Sequence, residues 1–161
     1  MIEYVWGGGN NPEAHDAVSQ WVSRHSFGHN DNSWPGSTSL GVMRDGLPIA
    51  GVIFHDYKPA PQTVQFSAAS TDSRWLLGAT LHVIFGYIFD DLGCQMALSG
   101  NSAANESAHH LLHGLGFKNN VIERGWGRDT ALHLWTLTQE QWLENKLMKR
   151  SRKSAEENQH V

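Results

Sequence analysis

The sequence predicts an α/β (α+β) fold: a mixed, mostly antiparallel sheet of about seven strands, flanked by helices, with one parallel strand–helix–strand unit at its centre. Three observations predict it. Asp45-Gly46 separates two apolar runs, 39–44 and 48–57. An Asp-Gly pair is a preferred two-residue hairpin turn, because both positions take positive φ. A strand-like run at 63–69 is followed by a helical stripe and then a short apolar run at 94–98, and a strand, a crossover helix and a strand imply a parallel pair. Finally, 161 residues suit one domain with a real core.

Each element follows in chain order. Residues 2–6 are β-prone and open the sheet. Gly7-Gly8-Gly9-Asn10-Asn11 breaks that strand. A helix starts at Asn11-Pro12-Glu13: the Asn caps, Pro takes the first helical position, and the acid meets the positive end of the helix dipole. Ala14, Val18, Trp21, Val22 and His25 make its apolar stripe, which fades by 26–28. Residues 27–37 are polar and rich in turn formers, a candidate lid facing the substrate. Trp34 within it either lines a pocket or plugs the edge of the core.

The hairpin 39–44 and 48–57 comes next, ended by Pro59 and Pro61. Val64, Phe66 and Ala68 alternate along a third strand of this meander, 63–69. A long helix over 73–92 carries Leu77, Leu81, Ile84, Phe85, Ile88 and Leu92 on one stripe, with Gly93 as its stop. A buried strand at 94–98, a polar link at 99–104 and a helix over 105–115 follow. Ala104, Ala108, Leu111 and Leu115 face inward on that helix, and Gly116 closes it. Strands at 121–126 and 131–138 precede a last helix, 139–148, with Trp142, Leu143 and Leu147. Residues 1–145 thus read as one domain, and 146–161 as a basic, flexible tail.

The formal net charge is −4, unevenly spread. Residues 1–145 hold seven Lys or Arg against fourteen Asp or Glu, whereas Lys146, Lys149, Arg150, Arg152 and Lys153 crowd the end. An acidic body argues against an extended nucleic-acid surface. The basic stretch is the one part suited to nucleic acid, and it equally fits a solvated terminus. Cys94 is the single cysteine, so no internal disulfide forms and a reducing compartment is the default. No basic-then-apolar leader and no run of about 20 apolar residues is present, so the protein is expected to be soluble and cytoplasmic, away from membranes.

The chemistry centres on 67–117. Thr71, Asp72 and Ser73 feed a helix start with Arg74 in its first turn. Unpaired N–H groups and a positive dipole end there suit an anion such as pyrophosphate. His109 and His113 share a helix face at a metal-pair spacing, but no HExxH pattern or third ligand accompanies them. A solvated histidine face and no metal are expected.

The element order β-α-β-β-β-α-β-α-β-β-α resembles the GNAT superfamily of acyl-CoA N-acyltransferases, over roughly 2–142 and most strongly over 67–129. Within that superfamily the chain resembles GNAT-like proteins often met in phages and prophages. It shares with them Ser73, Arg74-Trp75-Leu76, Asn105, Leu115-Gly116-Phe117, Arg124 and Trp142. The resemblance implies acetyl-CoA as cosubstrate and a primary amine, on a small molecule or a protein, as acceptor. The family's cofactor loop, Gln/Arg-x-x-Gly-x-Gly/Ala, is matched by Arg74 and Ala79. Leu77 stands at the middle Gly, with Gly78 one residue late. By this resemblance the amides of Leu76, Leu77, Gly78 and Ala79, flanked by Arg74 and Trp75, bind pyrophosphate. Ser67, Ala68, Ala69 and Asn105 hold the pantetheine arm. Read from the residues alone, Arg74 is equally a surface charge and 75–79 the start of a core helix.

The family's second motif, Asn-x-x-Ala-x-x-Leu-Tyr-x-x-Leu-Gly-Phe, is met by Asn105, Ala108, Leu111, Leu115, Gly116 and Phe117. Leu112 replaces the Tyr that protonates the leaving thiolate, and Leu has no proton to give. Ser107 is the candidate substitute. For the base, the strand 63–69 has no acid, and His55 and Asp56 are nearest. Neighbours on a strand alternate, so one of the two points away. His55 suits proton transfer near neutrality if it faces the cleft, and is otherwise a hydrogen-bonded sheet histidine. Because two family residues are replaced, a second expectation is a catalytically degenerate GNAT fold that binds a protein in a phage–host interaction. A third is a nucleic-acid-associated modifier using the basic tail. The last strands and the Trp142 helix either complete the core or form a homodimer seam.

Overall fold

The computed structural model describes residues 1–27, 34, 36–76 and 78–159. Its strands are β1 (Ile2–Gly7), β2 (Thr38–Arg44), β3 (Leu47–Lys58), β4 (Thr63–Ser70), β5 (Met96–Ser102), β6 (Lys118–Gly127) and β7 (Thr130–Thr138). They form one sheet in the order β1-β2-β3-β4-β5-β7-β6, mostly antiparallel, with a parallel β4–β5 pair over Thr63–Gln65 and Met96–Leu98. The chain divides into two compact units, Met1–Tyr57 with Phe66–Leu76, and Lys58–Gln65 with Leu77–Val161.

In the first unit, helix α1 (Pro12–Phe27) begins where the sequence predicts. The Asn11 side-chain oxygen accepts from the Ala14 amide at 3.3 Å, the bond a capping Asn is there to make. Asp45 and Gly46 sit at φ 51° and 80°, as the predicted hairpin turn requires. Val22 is buried with Leu40, Val42, Val52 and Ile53. Gly51 allows α1 to lie close on β3, since a side chain there would meet Val22 at 2.7 Å. His25 is exposed rather than on the inward stripe; Ser19 and Ser23 take the buried positions beside Val22.

In the second unit, the helix predicted over 73–92 starts late. Helix α2 spans Thr80–Gly86 and continues as a π-helical turn over Tyr87–Asp91. Gly78, at φ 61°, is left-handed, a conformation a right-handed helix cannot carry. The predicted stripe still packs: Leu81, Ile84, Phe85 and Ile88 are buried. The strand predicted at 94–98 lies two residues later, and β5 absorbs most of the polar link, pairing with β7 down to Ser102–Leu132. Backbone pairing to a neighbouring strand outweighs polar composition there. Helix α3 (Glu106–Gly114) follows, with Leu112, Leu115 and Phe117 buried and Ala104 exposed.

The predicted last helix is two. Helix α4 (Gln139–Glu144) opens with a Thr138–Gln141 capping box and ends at Asn145, whose ψ of 128° breaks it. Helix α5 (Lys146–Gln159) then covers the stretch expected to be a flexible tail. It is anchored: Met148 is 1% exposed, and the Ser151 hydroxyl donates to the Gly78 carbonyl at 2.6 Å while accepting from the His82 amide at 2.8 Å. Arg152 lies 4.9 Å over the Trp142 ring, a cation–π contact. At the sheet edge β6 shifts register between Ile122 and Gly127, with Arg124 at φ 61°. Among the described residues, no helix is long and apolar enough to cross a membrane.

Candidate active site

His55 makes the most chemically suggestive contacts of the first unit. Its Nδ1 lies 2.6 Å from the Asp56 carboxylate and its Nε2 lies 2.9 Å from the Ser67 hydroxyl. Alternation sends one of His55 and Asp56 outward, and Asp56 is the more exposed of the two, yet its carboxylate still reaches the ring beside it. Asp56 sits at φ 53°, in the left-handed region, inside β3. A left-handed residue there is uncommon in a strand, and from it the Asp56 carboxylate meets the His55 ring. A carboxylate only accepts, so the imidazole carries its proton on Nδ1 and donates it to Asp56. Nε2 is then the basic nitrogen, and the Ser67 hydroxyl donates to it. His55 is mostly buried at 15% exposure, while Asp56 is 57% exposed. The Trp34 ring lies 6.3 Å away from His55, and the rest of the predicted lid falls outside the described residues.

Beyond Ser67, Ala68 is exposed and Ala69 half-buried. The chain leaves β4 through a tight polar turn. Ser70 donates to the Ile49 carbonyl at 3.1 Å, and Asp72 accepts from the Arg74 amide at 2.8 Å and pairs with the Arg44 guanidinium. The Arg74 N–H chiefly, with Arg44 helping against partial desolvation, holds the Asp72 carboxyl below the usual carboxylate range. Arg74 is therefore in a turn, not in the first turn of a helix. Its side chain is exposed, whereas Trp75 and Leu76 are buried and anchor the turn. Leu77 lies outside the described residues.

In the second unit, Gly78 is exposed, and nothing lies within 4 Å of where its side chain would be. Ala79 precedes α2 at φ −68°. Asn105 caps α3, accepting from the Ala108 amide at 3.2 Å and from the exposed Ser107 hydroxyl at 3.5 Å. Leu112, at the family's tyrosine position, is 4% exposed and packs as a core residue. The solvated histidine face is only partly so: His110 and His113 are exposed, but His109 is tied down. It accepts from the Trp135 indole at 3.2 Å, donates to the Ala103 carbonyl at 3.2 Å and lies 4.4 Å from the tilted ring of His133. Among the described residues, no group of three His, Cys, Asp or Glu could hold a metal ion. Burial pushes the Cys94 thiol up, which disfavours a thiolate nucleophile.

Sequence reasoning named His55 and Ser67 separately and missed that they touch. A His-Asp pair on one strand and a Ser on the next was the available signal.

Solved acetyltransferases share this arrangement of strands and helices. The spermidine/spermine N-acetyltransferase SpeG from Vibrio cholerae superposes with a TM-score of 0.68 over 89% of this chain and 98% of that one, at 11% identity. The chain has the GNAT fold. The yncA protein of Salmonella typhimurium, solved with its cofactor acetyl-CoA, matches with a TM-score of 0.62 and 16% identity over 85% of this chain and 93% of that one. A protein described as a probable acetyltransferase matches with a TM-score of 0.56 and 15% identity over 65% of this chain. The GNAT-fold chain spans 63% of that protein's length. No family model and no curated protein matches the sequence.

Proposed function

We propose that this GNAT-fold chain is an acyl-CoA-dependent N-acyltransferase that moves an acetyl group from acetyl-CoA to a primary amine. The observation that carries the reading is the shared fold with yncA, a structure containing acetyl-CoA, and with SpeG, named for its polyamine substrates. The residues fit the group. Gly78 is left-handed, and nothing lies within 4 Å of where its side chain would be, so a phosphate can approach its backbone closely; by the resemblance the amides of Leu76, Leu77 and Ala79 would join it. Exposed Arg74 supplies a countercharge, with Trp75 holding the turn in place. Ser67, Ala68, Ala69 and Asn105 serve the pantetheine arm. His55, hydrogen-bonded through Nδ1 to a carboxylate, presents a basic nitrogen for proton transfer. Ser107, exposed and with its hydroxyl 3.5 Å from the Asn105 oxygen, is a candidate proton donor to the leaving thiolate. The acidic balance of residues 1–145 suits a cationic amine.

The test is a melting curve with and without acetyl-CoA. A ligand at a hundredfold its Kd stabilises by about 2.7 kcal/mol, a rise of about 5 °C or more for a domain of this size. Arg74→Ala shrinks that rise without changing the ligand-free melting temperature. A melting temperature unmoved by acetyl-CoA and by longer acyl-CoAs sinks the reading.

A further inference from the structure

We propose that Ser67 is a nucleophile, activated by His55 and positioned through Asp56, that takes the acyl group before the amine does. The identity of the donor as an acyl-CoA rests on the function proposed above; the nucleophile itself rests on geometry. Three groups stand in line: Asp56 carboxylate, His55 Nδ1 at 2.6 Å, His55 Nε2, Ser67 hydroxyl at 2.9 Å. A serine hydroxyl is a poor nucleophile until a base takes its proton, and the base works best when a carboxylate fixes its tautomer. The left-handed Asp56 adds a second observation. Aspartate held at φ 53° inside a strand is strained, and strain of this kind collects where side-chain placement matters more than stability.

The steps balance. As Ser67 Oγ bonds to the thioester carbonyl carbon, its proton passes to His55 Nε2. The carbon–sulfur bond breaks, and the same proton moves from His55 to the leaving thiolate, giving free CoA and an acetyl ester on Ser67. The amine nitrogen then bonds to the ester carbon and the carbon–Oγ bond breaks. The proton lost by the amine travels through His55 Nε2 back to Ser67. Without an amine, water follows the second route and yields acetate. This scheme also supplies a proton to the thiolate in a chain where Leu112 replaces the usual donor and is buried.

The experiment mixes the full chain with acetyl-CoA in the absence of amine, follows free CoA thiol, and weighs and maps the acid-quenched protein by mass spectrometry. A parallel run uses p-nitrophenyl acetate, an activated ester that needs no CoA site. The expected result is donor cleavage with an acetyl group on the peptide containing Ser67, or steady donor hydrolysis where the ester turns over quickly. Ser67→Ala abolishes either outcome with both donors. Ser67→Cys, which preserves size and a nucleophile, carries the group as a thioester and guards against a misfolded alanine variant. Asp56→Asn slows cleavage about a hundredfold while the acetyl-CoA concentration for half-maximal rate stays put, which a merely structural role would not produce. Cleavage in Ser67→Ala at the parent rate, or no cleavage of either donor by the parent chain, overturns the proposal. The two readings fail separately. A melting temperature raised by acetyl-CoA with no Ser67-dependent cleavage leaves the acyl-CoA site and removes the nucleophile. Ser67-dependent cleavage of p-nitrophenyl acetate alone, with no response to acyl-CoA, does the reverse.

Discussion

His55 in the first unit and His109 in the second are both partly shielded and both hydrogen-bonded at each ring nitrogen, yet they are wired in opposite senses. His55 gives its Nδ1 proton to a carboxylate and turns a basic Nε2 toward a hydroxyl that can lose its own proton. His109 gives its Nε2 proton to the Ala103 carbonyl and receives the Trp135 indole on Nδ1. Neither partner of His109 exchanges a proton in the working range, and Trp135 is only 4% exposed. One ring is set to pass protons; the other pins a helix to a strand. Residue type does not separate them. What separates them is whether the partners can change charge or lose a proton.

The sharpest way to break this contrast is to make the same substitution at both. Phenylalanine keeps ring and volume and removes both nitrogens. In His55→Phe the proposed transfer loses its base, so the rate of donor cleavage falls by about a hundredfold or more. Its melting temperature changes little, because water can still reach half-exposed Asp56. In His109→Phe the buried Trp135 N–H is left without an acceptor, which costs about 1–3 kcal/mol and lowers the melting temperature. Its cleavage rate is unchanged at temperatures where it is folded. Rates and melting curves on the two variants check both halves. Equal losses of rate, or equal losses of stability, would remove the distinction.

The contrast also marks how far the sequence could be read. The element order, the Asp45-Gly46 hairpin, the Asn11 cap and the α2 stripe were legible, because local turn chemistry and apolar periodicity set them. Asn105 was legible as part of a short motif, and the structure adds that it caps α3. The sequence placed the α2 start too early because Ser73 looks like a helix entry, and only the left-handed Gly78 shows that the turn continues. It took α5 for a free tail because that helix carries few apolar residues; one buried Met148 and one buried Ser151 are what anchor it. The proposed relay was invisible for a similar reason. Alternation separates the two faces of a strand, but it does not show that an exposed carboxylate at 56 still reaches the ring at 55.

That residue gives the next test. Asp56→Gly puts glycine where φ is 53°. Relief of the left-handed penalty, about 1–2 kcal/mol, outweighs the entropy that glycine adds to the unfolded chain, about 0.4–1 kcal/mol. Stability therefore holds or rises by up to about 1.6 kcal/mol, while donor cleavage slows because His55 loses the carboxylate that sets its tautomer. A melting curve and a rate on the same sample decide it. A clear drop in melting temperature would mean that Asp56 belongs to the sheet's stability, and the contrast with His109 would blur.

The smallest effect separates Asp56 from the other aspartate of the first unit. Asp72 accepts from the Arg74 amide and pairs with the Arg44 guanidinium, contacts that hold a turn in place, so its role should be structural alone. Its carboxyl is held below its ordinary value, so it binds a proton less readily folded than unfolded. It therefore contributes stability that is fully present above the unfolded value, about 3.9, and is lost as pH falls through the lower folded value. Asp72→Asn removes that contribution. The parent and variant melting temperatures should differ slightly at neutral pH, with the parent higher, and converge in acid. Cleavage of acetyl-CoA should be the same for both at every pH where both are folded. A rate that follows Asp72 instead would bring the turn after β4 into the chemistry, and Arg74 would then need a role beyond countercharge.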